Sequence, residues 1–174
     1  LAIQEGTALI YPLSAMGAHV SDCPNHAVGR STPFETRGYV ALAGTFGYEL
    51  DVTRIPAEDR EMIPAQVAMY HKYNDLVRTG DYYRLASYQQ NHMYDCYMVA
   101  AKDKSEALVT FIQVFGRPNS HSRRILLKGL DAGRLYRIEG EERTYYGSTL
   151  MQAGILVENI WGDFKGRLIH IVEA

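Results

Sequence analysis

Six side chains capable of chemistry fall within the fifteen residues 16–30: His19, Asp22, Cys23, Asn25, His26 and Arg30. They follow a short apolar segment and precede a helix-start signal. Polar groups gathered after a strand and before a helix are how α/β enzymes build active sites. His19, Asp22 and His26 form a His-x2-Asp-x3-His spacing with nitrogen and oxygen donors that a divalent metal accepts. That spacing matches no standard zinc pattern, and Pro24 prevents a helix from aligning the three donors. Hydrogen-bonded scaffolding is therefore the expected use of the histidines, no bound metal is expected, and a metal-dependent hydrolase is kept only as an alternative. For Asp22 two readings stand: a loop carboxylate that caps backbone N–H groups ahead of Pro24, or a group lining a pocket. Cys23 with His26 would suit nucleophilic catalysis, but nothing around them marks an activated thiolate or an oxyanion site. Glu49 and Asp51 alternate on an expected strand and so share a face, as a catalytic pair would. Structural pairing, with Arg54 as a candidate, is the plainer expectation.

Composition narrows the classes. The 174 residues suffice for one ordinary domain or two small ones, and 47% hydrophobic with 22% charged residues suits a globular chain with a real core. A net charge of −2 argues against nucleic acid or an anionic membrane as the main partner. No apolar run approaches the ~20 residues of a membrane span. The two cysteines, Cys23 and Cys96, make no disulfide framework, and a cytoplasmic location is expected. The first residue is Leu1, so the N-terminus of the gene product is expected upstream.

These groups need elements to hold them. Residues 16–20 read as a strand, and Thr32-Pro33-Phe34-Glu35 supplies an N-cap, a proline at the first helical position and a capping-box glutamate. The helix is expected to reach about Ala43, before Gly44. Residues 46–52 read as the next strand. Pro56 opens a short helical turn and Pro64 a longer helix, with Ile63, Val67, Tyr70, Asn74 and Val77 on one face and Gly80 as the stop. From about Ser87 the period becomes two. Short strands are expected at 94–101, 107–115, 123–127, 135–139, 155–158 and 167–172, separated by turns such as 102–105, 117–120, 129–133 and 161–163. The expectation is α/β followed by all-β: residues 1–86 with too few strands to complete an α/β unit, and residues 87–174 as a self-sufficient antiparallel β-sandwich. Trp161, the only tryptophan, is expected to pack in a turn.

Ordered segments carry a resemblance. These are the stretch from Gly6 to Ser21, Pro24-Asn25-His26, Gly29-Arg30, Thr32-Pro33-Phe34-Glu35-Thr36-Arg37-Gly38 and Gly44-Thr45-Phe46-Gly47-Tyr48-Glu49-Leu50-Asp51. Tyr70-His71-Lys72-Tyr73-Asn74, Gly80-Asp81-Tyr82-Tyr83-Arg84-Leu85, Lys128-Gly129-Leu130-Asp131 and Gly162-Asp163-Phe164-Lys165-Gly166-Arg167-Leu168 continue it. Together they resemble the C-terminal part of bacterial α-galactosidases of glycoside hydrolase family 36. The resemblance implies that residues 1–86 are the last strands and helices of a catalytic (β/α)8 barrel and 87–174 its C-terminal antiparallel β-sandwich. It implies a retaining hydrolase of terminal non-reducing α-D-galactose in raffinose- or melibiose-type sugars, with no cofactor. The family nucleophile lies in a Lys-Trp-Asp-type motif, and the acid/base in a Ser-Asp motif followed by Thr-Asp-Ala and Arg. Neither occurs here, so no catalytic residue is assigned in this chain; both are expected upstream of Leu1, and the chain alone is expected to be inactive. Asp22, Asn25 and His26 are the candidates for lining the sugar pocket. The expected partners are α-galactosides and further copies of the chain, as a homo-oligomer. A binding or assembly module is the second alternative.

Overall fold

A computed structural model describes residues 1–119 and 121–174. Ser120, the last residue of the expected turn at 117–120, lies outside the described residues. The chain starts with helix α1 (Ala2–Ala8) and a 3-10 turn (Leu13–Ala15), then strand β1 (Gly17–Ser21), helix α2 (Phe34–Ala41) and strand β2 (Thr45–Glu49). β1 and β2 pair in parallel, Gly17 opposite Thr45 and Ser21 opposite Glu49, so β1-α2-β2 is one βαβ unit. Helices α3 (Ala57–Glu61) and α4 (Ile63–Thr79) follow, with Pro64 in the first turn of α4. The second half holds β3 (Asp81–Ala86), α5 (Tyr88–Asn91), β4 (Tyr94–Ala100), β5 (Glu106–Gln113), β6 (Arg123–Ile125), β7 (Leu135–Ile138), β8 (Thr144–Tyr146), α6 (Gly147–Gln152), β9 (Ile155–Val157) and β10 (Lys165–Glu173).

All six expected strands of the second half form, each within a few residues of its expected bounds. Six strands make one antiparallel sheet in the order β3-β4-β5-β10-β7-β8, and β6 pairs with β9 apart from it. β3 was not expected as a strand. It falls before the expected boundary at 86/87, yet its backbone bonds go to β4, Tyr82 opposite Val99. Alternation along β4 and β5 sends Cys96, Met98, Val109 and Phe111 to one face, where Ile125, Leu150, Ile155 and Val157 of β6, α6 and β9 cover them. Val99 and Leu108 point the other way and are buried under Tyr73, Leu76 and Val77 of α4, with Leu13, Met16 and Leu42. The central strands are consequently buried on both faces, and the β-rich part leans on the first half instead of standing alone.

Three local expectations are corrected. The helix after the candidate loop starts at Phe34 with Pro33 at the N-cap and no side-chain cap. The Thr32 carbonyl accepts a bond from Arg37 Nε, which fixes the residue outside the helix. On α4, Val77 is buried as expected, but Gln66, Tyr73 and Leu76 are the other buried positions, while Ile63, Val67, Tyr70 and Asn74 are half-buried. The buried stripe is turned because the sheet, not the parallel strands alone, covers this helix. Gly80 ends α4 with an ordinary φ of −74°. Its need for no side chain comes from close approach: a Cβ would lie 2.5 Å from Val99 Cγ1 and 2.7 Å from two carbonyl oxygens.

Candidate active site

The loop at the carboxyl end of β1 borders a cleft of about 510 Å³. Its first wall includes His19, Ser21, Asp22, Asn25 and Arg30; the opposite wall includes Asp95 of β4 and Phe164. The cleft thus forms where the βαβ unit meets the large sheet, beyond the end of a parallel strand, the usual place for α/β sites.

Local geometry explains the loop. The Asn25 side-chain oxygen accepts the N–H groups of Ala27 (3.1 Å) and Val28 (3.2 Å), and Gly29 N–H donates to the Asn25 carbonyl at 2.8 Å. Gly29 has φ +65°, the left-handed conformation that closes such a turn at no steric cost. Asn25, not Asp22, is therefore the capping residue. Asp22 is exposed and has no hydrogen-bond partner among the described residues; it lines the cleft. His26 does not line it, because the Asn25 turn carries it to an exposed position.

Arg37 fastens both ends of this loop. Its guanidinium donates to the carbonyls of Ser21 (2.6 Å) and Thr32 (3.0 Å), is held by Asp59 at 3.0 Å, and lies over the Phe34 ring. With its side chain 12% exposed, these charge-assisted bonds are shielded from water. Arg37→Ala is expected to quicken hydrogen exchange at the Ala27, Val28 and Gly29 amides severalfold more than at the β4 and β5 amides. Equal change across the molecule would refute a local clamp.

The remaining candidates disperse. His19 Nε2 pairs with Glu49 at 2.7 Å across β1 and β2, with both side chains largely exposed. Glu49 therefore does not pair with Arg54, and Asp51 lies beyond the strand, accepting bonds from the Thr53 amide and hydroxyl. Those two bonds hold its carboxyl below the usual range. Among the described residues no group of three His, Cys, Asp or Glu side chains could hold a metal ion, so His19, Asp22 and His26 do not converge. Trp161 is 88% exposed, overturning the expected packing role: Gln113 Nε2 of β5 holds the flanking Ile160 and Gly162 carbonyls at 2.7 Å, and the indole between them faces outward. The Arg30 guanidinium rests over the Phe164 ring at 5.6 Å and links the loop to the far wall.

Asp95 was missed by sequence reasoning, although a carboxylate inside the apolar run of β4 was the available signal. It is 2% exposed and accepts the Tyr88 N–H in a short bond. Its carboxyl also meets that of Glu5, 7% exposed on α1, whose Oε2 accepts the Ser87 hydroxyl at 3.1 Å. Burial raises both carboxyls above the usual range. A carboxyl raised on folding holds its proton longer in the native state than in the unfolded chain. Its stabilising contribution is thus full below about pH 4 and is lost as pH rises through the native value. Glu5→Gln is expected to lose less stability than the parent chain between pH 4 and 7 in urea unfolding at stepped pH. Parallel stability curves would refute the shift.

Comparison with known proteins supplies the family. The melibiase family model matches residues 1–80, and the model of the glycosyl hydrolase family 36 C-terminal domain matches residues 94–171. The chain belongs to glycoside hydrolase family 36. This family 36 chain is 45% identical over 165 residues to the α-galactosidase AgaA of Geobacillus stearothermophilus, covering 94% of itself and 22% of that protein. It is 40% identical over 153 residues to the bifunctional α-galactosidase/sucrose kinase AgaSK of Mediterraneibacter gnavus, covering 88% of itself and 16% of that protein. The solved galactosidase domain of AgaSK superposes with a TM-score of 0.94 at 37% identity, over 99% of this chain and 24% of that one. A variant of AgaA in complex with raffinose gives 0.93 at 42% identity, again over 99% and 24%. The chain therefore spans less than a quarter of the length of these relatives.

Proposed function

We propose that this chain is the C-terminal part of a retaining α-galactosidase that hydrolyses terminal non-reducing α-D-galactose from raffinose- and melibiose-type sugars. The observation that carries the reading is the agreement of fold and sequence over 99% of the chain with an α-galactosidase bound to raffinose. In this reading residues 1–86 are the last strands and helices of a (β/α)8 barrel, and 87–174 are a C-terminal β-sandwich that borrows β3 as an edge strand. The parallel β1-α2-β2 unit supports the barrel assignment, since barrels are built from such units.

The chemistry is displacement by one carboxylate while a second protonates the leaving oxygen, then hydrolysis with the second acting as base. Both carboxylates are supplied from outside these residues. This chain contributes the rim: Asp22 and Asn25 line the sugar pocket, with His26 on the same loop and Arg37 fixing the loop's ends. No cofactor enters. We assign the enzyme to the cytoplasm and to a homo-oligomer. Ile3, Leu9, Ile10 and Tyr11 expose apolar surface around α1, which suits a place where further barrel elements pack.

The test is an assay of the complete gene product on raffinose, melibiose and p-nitrophenyl α-D-galactoside, with the released anomer followed by NMR. α-Galactose as first product is expected. Inverted product, or no release, would defeat the reading. Light scattering of the same protein checks association, and a monomer at high concentration would remove that part alone.

A further inference from the structure

On the face of the large sheet that α4 covers, one imidazole stands between two carboxylates. His170 of β10 lies opposite Leu108 of β5, whose side chain is buried under α4, so His170 points the same way. Glu106, two residues back along β5, shares that face. His170 Nε2 stands 2.8 Å from Glu106 Oε2, and Nδ1 stands 3.1 Å from Oε2 of Glu139, just beyond the end of β7. Glu139 is also where α4 is attached. Lys72 Nζ donates to both of its oxygens at 2.7 Å, and the Tyr73 hydroxyl donates to Oε2 at 3.4 Å. The Tyr73 ring meets the imidazole edge-on, with 5.0 Å between centroids. Glu141, Glu158 and Arg167 line the groove that His170 shares. With its side chain only 9% exposed, His170 has little water to stand in for either carboxylate.

We propose that His170 is a proton-operated latch that fastens α4 to the large sheet through Glu139. An ionised carboxylate only accepts hydrogen bonds, whereas a neutral imidazole has one N–H and one lone pair. The Lys72 bond, and after it the His170 bond, holds the Glu139 carboxyl below its usual range, so Glu139 stays an acceptor. Only an imidazolium, with an N–H on each nitrogen, satisfies both glutamates at once. The charge count agrees: Lys72, Glu139 and Glu106 together carry one negative charge, which the imidazolium cancels. When the ring gives up a proton, a nitrogen lone pair faces a carboxylate and that contact opens. The Glu106 contact is the shorter, so the neutral ring keeps its N–H on Nε2 and releases Glu139, the residue that holds Lys72 and Tyr73.

A bridge that needs the proton is complete on the acid side of the histidine range and is lost as pH rises through it. Hydrogen exchange of the full 174-residue chain, corrected for its intrinsic pH dependence, is compared at about pH 5.5 and about pH 8.5. Over that interval the Tyr73, Leu76 and Val77 amides of α4 are expected to lose about fivefold in protection relative to Met98 and Val109, the effect of roughly one hydrogen bond. In His170→Gln, whose side-chain amide does not titrate, the ratio is expected to stay constant. A constant ratio in the parent chain, or the same drift in His170→Gln, would overturn the latch. Nitrogen NMR of the His170 ring needs no variant. Protons on both ring nitrogens at about pH 5.5, and on Nε2 alone at about pH 8.5, are expected. A lone pair on either nitrogen at the lower pH, or the remaining proton on Nδ1 at the higher, would defeat the proposal equally.

Discussion

The 174-residue chain by itself will release no p-nitrophenol from p-nitrophenyl α-D-galactoside above the buffer rate. Retaining hydrolysis needs two carboxyl groups about 5–5.5 Å apart across one glycosidic bond. The acidic groups near the cleft are otherwise engaged. Asp95 is held by the Tyr88 amide and the Glu5 carboxyl, and Glu49 by His19, which leaves Asp22 alone on an exposed loop. One carboxylate cannot serve as nucleophile and as acid on opposite sides of a sugar. Since enzymes of this kind gain at least about 10⁶ in rate from their assembled sites, the chain is expected to lose essentially all of that gain. Activity that survives purification and disappears in Asp22→Asn would make Asp22 a catalyst and defeat the proposed division of labour. The complete gene product, assayed in parallel, separates that outcome from a wrong substrate.

Phe111→Ala is expected to cost about 3–5 kcal/mol, a large part of the roughly 5–15 kcal/mol that holds an ordinary domain together. Phe111 is 2% exposed, stacks on Tyr94 at 4.9 Å, and sits beside Met98 and Val109 in the layer between the large sheet and the β6–β9 pair. Removing its ring leaves a hole that rigid strands on both sides cannot collapse into. Leu156→Ala on β9, where the side chain is 56% exposed, serves as the control and should change stability by less than about 0.5 kcal/mol. Urea unfolding of both variants decides the matter. Similar losses in the two would mean that the β6–β9 layer does not cover the sheet.

Much of this architecture was written in local pattern. The period-two runs from residue 94 onward located the strands because alternation is forced by the pleat, whatever the strand later pairs with. Pro56 and Pro64 marked helix starts through their fixed φ. The concentration of polar groups at 19–30 located the rim of the cleft, and the ordered motifs pointed to the family that the later comparison established.

Tertiary structure decided what those groups face. Pairing partners are non-local, so no pattern within residues 81–86 announced that they would join β4 and not the strands before them. Nor did alternation reveal that β4 and β5 would be covered twice, since the second cover comes from α4 through Val99 and Leu108. The far wall of the cleft, Asp95 and Phe164, stands more than sixty residues along the chain from the loop it faces. The meeting of Glu5 with Asp95 exists only because α1 docks on the sheet. Sequence by itself located β1, β2, the main helices and six strands of the second half, the residue types at the rim and the family, but not α1, β3, α5, β8 or α6. Which carboxylates are buried, paired or left free depended on long-range packing, because burial and charge pairing are properties of neighbours in space.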